Sequence, residues 1–138
     1  MSGQRIYVRY RTLIIFNLPD YRFYDGFEGE GELELDLDGN REESIHIWEG
    51  YLNDVLHDPD LSGNGWTGFM RDWQQGERTL DSYRQNVPIE DIDEYIADWK
   101  QYENRQFMFP DSKECYEFIL AFLEYAKSTG RIIYATYW

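Results

Sequence analysis

The sequence predicts an α+β domain in which two or three helices pack on one face of a mainly antiparallel sheet. Three observations lead there. Residues 32–38, Glu-Leu-Glu-Leu-Asp-Leu-Asp, alternate strictly between acidic and apolar side chains, the period of a strand with one face on a core. Two later stretches, 88–104 and 111–130, repeat apolar residues at helical spacing. The last eight residues, Arg-Ile-Ile-Tyr-Ala-Thr-Tyr-Trp, favour a strand through their β-branched and aromatic side chains. Strands followed by helices and a closing strand make a layer of helices over a sheet, and 138 residues without repeat or linker fit one domain spanning 1–138.

The elements follow in order. Residues 5–18, rich in Ile, Tyr, Val and Phe, predict a first strand ended by Pro19-Asp20. Residues 21–31 scatter Gly26, Gly29 and Gly31 among acids and predict a turn-rich connection. The alternating segment comes next, half-buried, and Asp38-Gly39-Asn40 signals a turn. Between 42 and 56 two periods compete: Ile45 and Ile47 alternate, while Trp48, Leu52, Val55 and Leu56 recur at helical spacing, and a helix is the expectation. Pro59 stops it, 61–68 form a loop, 69–73 a short helical turn, and 74–86 lack periodicity. Pro88 suits the first turn of a helix to about Asn104, with Ile89, Ile92, Tyr95, Ile96, Trp99 and Tyr102 inward and Glu90, Asp91, Asp93, Glu94 and Asp98 outward. Residues 106–109 look like a short strand before Pro110. Asp111 or Ser112 caps the last helix, and Gly130 ends it.

Composition bounds the function. With 42% apolar and 18% aromatic residues the chain has the material for a core. Cys115 is the single cysteine, so no internal disulfide forms, which fits a reducing cytoplasm. Neither a secretory leader nor a bilayer-length apolar run is evident, and the expectation is a cytoplasmic protein without membrane contact. The net charge of −14 is unevenly placed: residues 1–19 hold Arg5, Arg9 and Arg11 and no acid, whereas 20–60 hold fourteen acids against Arg22 and Arg41. Such a field accelerates encounter with a cationic partner and repels nucleic acid, whose phosphates need Lys and Arg. Plain solubility is the alternative explanation of an acidic surface.

Chemistry-bearing motifs are incomplete. Asp58, Asp60, Ser62, Gly63 and Asn64 match the first half of a calcium loop, but Phe69 stands where the closing bidentate carboxylate belongs. Asp36, Asp38 and Asn40 make a weaker half-match. His46 and His57 lie eleven residues apart, off any helical ligand spacing, and Cys115 falls on an apolar helix face. Gly63-Asn64-Gly65 lacks the lysine of a phosphate cradle. No catalytic residue, cofactor or metal ligand is therefore expected. Aromatic residues interleaved with carboxylates are another matter, because Tyr and Trp anchor protein interfaces while flanking charge steers. That places a recognition surface on Tyr21, Tyr24, Asp25, Phe27, Glu28, Glu30, Glu32, Glu34, Asp54, Asp58 and Trp66, with Tyr51 beside Asp54 and Asp58; ordinary loop packing is the competing account.

In size, charge and the helix over 111–130 that leads into a short strand, the chain resembles the bacterial immunity proteins that neutralise basic toxin domains, among them the nuclease toxins of contact-dependent inhibition. The resemblance implies stoichiometric inhibition, with carboxylates filling the positive cleft where a toxin would hold RNA or DNA, by a monomer or weak dimer. Two other classes stay open. One is a nucleic-acid mimic that inhibits DNA-binding defence proteins, and the other is a small enzyme or ligand-binding domain, which an enclosed polar pocket would mark.

Overall fold

The computed structural model describes residues 21–23, 31–56, 68–69, 72, 87–104 and 106–137. Their elements run β1 (Tyr21–Phe23), β2 (Glu32–Leu37), β3 (Asn40–Trp48), α1 (Glu49–Leu56), β4 (Val87–Pro88), α2 (Ile92–Lys100), α3 (Pro110–Thr129) and β5 (Ile133–Tyr137). The expected strand over 5–18, the irregular stretch 74–86 and the expected loop over 61–68 lie outside the described residues, except that Gly68 is described and is helical.

The fold is α+β. The strands form one sheet in the order β1-β3-β2-β5-β4, antiparallel at every pairing except β1 with β3. Leu33 pairs with Ile47, and Leu35 faces Ile45 on one side and Ala135 on the other. These pairs assemble one apolar face, on which side chains of α1, α2 and α3 complete a common core. Trp99, Phe69, Phe122 and Ile119 are among its largest fully buried members. The turn between β2 and β3 puts Asp38 at φ 58° and Gly39 at φ 78°, a left-handed pair that matches the twist of a tight hairpin.

The structure corrects the expected boundaries at four places. Residues 40–48 are strand, and only Glu49–Leu56 is helix, so a single helix over 42–56 was the wrong division. Gly50 makes the junction possible, since a β-carbon there would stand 2.2 Å from the Trp48 ring. Tyr21–Phe23 is a strand rather than part of a connection. Pro88 lies in edge strand β4 and not in a helix; an edge position tolerates its missing N–H, and α2 begins at Ile92 under Asp91, whose carboxylate accepts from the Glu94 amide at 3.2 Å. Residues 106–109 form no strand, and α3 starts at Pro110 with Phe109 as its N-cap, ahead of the expected Asp111 or Ser112. At the other end Gly130 adopts φ 69° and closes α3 as expected.

Candidate functional site

The carboxylates of β2 occupy the second face of the sheet. Alternation correctly sorts Leu33, Leu35 and Leu37 from Glu32, Glu34 and Asp36, but β2 is an inner strand and that second face is covered. Glu34 is 2% exposed and Asp36 fully buried, against the expectation of a half-buried strand with solvated acids. Asp36 accepts the Gly39 amide at 2.9 Å and so braces the hairpin turn. Across β3 the His46 ring lies between two carboxylates: Nδ1 is 3.3 Å from Glu32 Oε1, and Nε2 is 3.7 Å from Glu34 Oε2. Arg41 approaches the other Glu34 oxygen at 3.7 Å. Glu34 is thus part of an internal charge network rather than an open recognition surface, and Glu32 sits at its margin.

Ser44, His46 and Glu32 line up in the sequence of a serine nucleophile, a base and an orienting carboxylate, with Ser44 Oγ 3.4 Å from His46 Nε2. The geometry does not compose a nucleophile. The Ser44 hydroxyl donates its one proton to the Arg41 carbonyl at 2.7 Å, and its side chain is buried. Cys115 is equally withdrawn: it is fully buried on α3, and burial first, then the nearby Asp111 charge, pushes its thiol far up from the reactive range. Among the described residues no group of three or more His, Cys, Asp and Glu could hold a metal ion, and no helix is long and apolar enough to cross a membrane.

Asp54 is the second correction to the expected surface. Its carboxylate is 8% exposed and turned inward, where one oxygen accepts the Met108 amide and the other the Phe109 amide, both at 2.9 Å. The physical need is plain. Phe109 caps α3 with an apolar side chain that makes no capping bond, and the Asp54 carboxylate, brought in from α1, joins Asp111 of the first turn at the positive end of that twenty-residue helix. Phe109 then closes an aromatic corner, edge-on to Tyr51 at 5.8 Å and tilted against Trp48 at 5.8 Å, while Trp48 and Tyr51 meet edge-on at 5.1 Å. The Tyr51 hydroxyl donates to Asp111 at 3.4 Å. Beyond this corner Met108 stands 82% exposed and Phe109 37% exposed. The sequence pattern missed this tip, because Phe107-Met108-Phe109 before a proline reads as a strand end.

No family model matches the chain, and neither does any curated protein or solved structure. Of the other expected contact residues, Tyr24, Asp25, Phe27, Glu28, Glu30, Asp58 and Trp66 lie outside the described residues, and Tyr21 is described as a backbone paired with Ile45.

Among the described residues, the outer surface of the helical layer carries further charge. Glu90, Asp91, Asp93 and Glu103 are exposed on and around α2, whereas Asp98, expected beside them, is buried and accepts the Tyr102 hydroxyl at 2.9 Å. Several of the described cations are engaged within the chain. Lys127 meets Asp93, Lys100 lies 3.9 Å from Glu124, and Arg131 bridges Asp38 and Glu43. Hydrogen bonds from the Ile132 amide and then from Arg131 hold the Asp38 carboxyl below its ordinary range.

Proposed function

We propose that this protein is an immunity-type inhibitor that neutralises a basic toxin domain, a nuclease in the first instance, by covering its positively charged active-site cleft. One observation supports this: the chain has an acid excess of −14, and among the described residues Arg41, Lys100, Lys127 and Arg131 are each set against one of its own carboxylates while Glu90, Asp91 and Glu103 stand exposed in a negative field. A field of one sign raises encounter rates with an oppositely charged surface by roughly ten- to a thousandfold at low salt. The same field turns away nucleic acid and anionic membranes, so the partner is a cationic protein, met in the cytoplasm, and the inhibitor acts without cofactor, metal or catalysis. The withdrawal of Glu34 and Asp54 into the interior takes these two out of the proposed contact, and the exposed acids on and around α2 are added to it.

The test is a kinetic one. A panel of basic nuclease toxin domains, each inactivated at its active site and beginning with any encoded beside this chain, is titrated at several ionic strengths. The association rate with the cognate domain is expected to fall by about tenfold or more as the Debye length shrinks from ~30 Å at 0.01 M to ~10 Å at 0.1 M, and Glu90→Lys with Glu103→Lys to slow it further. A salt-independent rate overturns the proposal. Comparable inhibition of several unrelated DNA-binding proteins would replace it with nucleic-acid mimicry.

A further inference from the structure

We infer that the tip formed by Met108 and Phe109 is the apolar anchor by which this protein seats in a pocket of its cationic protein partner. This goes beyond charge and rests on the inhibitor function proposed above.

The tip is apolar, exposed and held still, a combination that core packing does not require. Met108 presents most of its side chain to water at the point where the chain enters α3. Its backbone is fixed on both sides. Asp54 takes the amides of Met108 and Phe109, and Pro110 at the first helical position restricts the next φ angle. Behind it, Phe109 is wedged against Trp48 and Tyr51. A carboxylate withdrawn from water to fix the backbone at an exposed methionine pre-organises where that side chain is presented, and interfaces concentrate their energy in a few such apolar or aromatic centres. Methionine is unbranched and polarizable, so it adapts to an irregular pocket.

Charge complementarity names the occupant. Asp111 is exposed and adjoins the aromatic corner through Tyr51, with Lys113 exposed two positions on, so the charge that selects the partner is this one carboxylate within the chain's overall acid excess. A second copy of this chain would set −14 against −14, and an anionic lipid surface is repelled in the same way. A basic protein surface fits both parts. Its pocket takes Met108, and an arginine beside the pocket reaches Asp111.

Methionine methyl groups provide the test. The chain contains three methionines, so protein labelled with methyl-13C methionine gives three methyl resonances, and Met108→Leu assigns the one at the tip. On titration with the inactivated basic toxin domain the Met108 resonance is expected to shift or broaden. Met108→Ala, a change at an exposed position checked by circular dichroism, is expected to raise the dissociation rate roughly tenfold or more and to leave the association rate and its salt dependence unchanged. If the domain binds with salt-dependent kinetics while the Met108 signal and the Met108→Ala dissociation rate do not move, the anchor is refuted and the electrostatic inhibitor stands. If the wild-type protein binds no basic domain of the panel, the inhibitor function fails and the anchor falls with it.

Discussion

Replacing Asp54 with alanine should be among the costliest single changes in the helical layer. The carboxylate receives two amide hydrogens at 2.9 Å, and charge-assisted hydrogen bonds of this kind contribute about 1.5–3 kcal/mol each when buried. The amides of Met108 and Phe109 belong to exposed residues and water can reach them once the carboxylate is gone, which halves that figure to about 2 kcal/mol for the pair. Loss of one of the two carboxylates at the start of α3 adds about 0.5–1 kcal/mol, with Asp111 of the first turn left as the remaining anion. The sum, about 3 kcal/mol, corresponds to a fall in Tm of roughly 10 °C for a chain of this length. Asp54→Asn sharpens the test: it keeps the volume and one acceptor but aims an NH2 group at the second amide, so it should lose about 2 kcal/mol. Thermal and denaturant unfolding measure the loss, and hydrogen exchange locates it, with the Met108 and Phe109 amides exchanging faster before the sheet amides do. A drop in Tm below about 2 °C for Asp54→Ala would refute the capping role.

Two further changes probe single groups. The Tyr116 hydroxyl is buried without a hydrogen-bond partner, and burial, followed by the charges of Glu103, Glu117 and Glu124, pushes its pKa up to about 12. Its folded-state pKa exceeds the unfolded value of 10.0, so stability falls as pH rises between 10 and 12; Tyr116→Phe should be at least as stable as wild type at neutral pH and should lose less over that alkaline interval in matched unfolding titrations. At Asp38 the folded pKa lies below 3.8, so its contribution is present above that pH and is lost as pH falls through the lowered value; Asp38→Asn, which still accommodates φ 58°, should flatten the acid limb of the stability profile and weaken the grip on Arg131.

How much of this was legible in the sequence depends on which neighbours decide each residue's surroundings. Leu33, Leu35 and Leu37 announced their face through alternation, and the stripe of Tyr95, Trp99 and Tyr102 announced α2, because period alone fixes which side chains share a side. Period does not say whether the other side is covered. Glu34 and Asp36 looked solvated and are buried, since the second face of the sheet is covered, a property of the whole fold rather than of the segment. The division at Trp48 and Glu49 was hidden for a different reason: a strand period and a helix period abut there without an intervening loop, and the only local mark is Gly50 under the Trp48 ring. Asp54 carried a plausible surface role at helical spacing beside Tyr51, yet its partners are amides more than fifty positions away. The same distance concealed the tip, whose rigidity comes from α1.

The inner position of β5 has a consequence for how the molecule comes into being. The hairpin of β2 and β3 can pair as soon as both strands leave the ribosome, but β4 has β5 as its sole neighbour in the described sheet, and β2 stays an open edge until residues 133–137 are made. The bonds that lock this closing step tie Asp38 to Ile132 across 94 positions of chain. Pairings at that separation pay their loop entropy before any contact rewards them, which makes the final step the slow one. Until then the nascent chain displays Leu33, Leu35 and Leu37 beside an unpaired edge, a combination prone to pairing with other chains. A shortened product that ends before Ile133 would be left in that state permanently, and should be found in inclusion bodies or degraded rather than as a partly active protein.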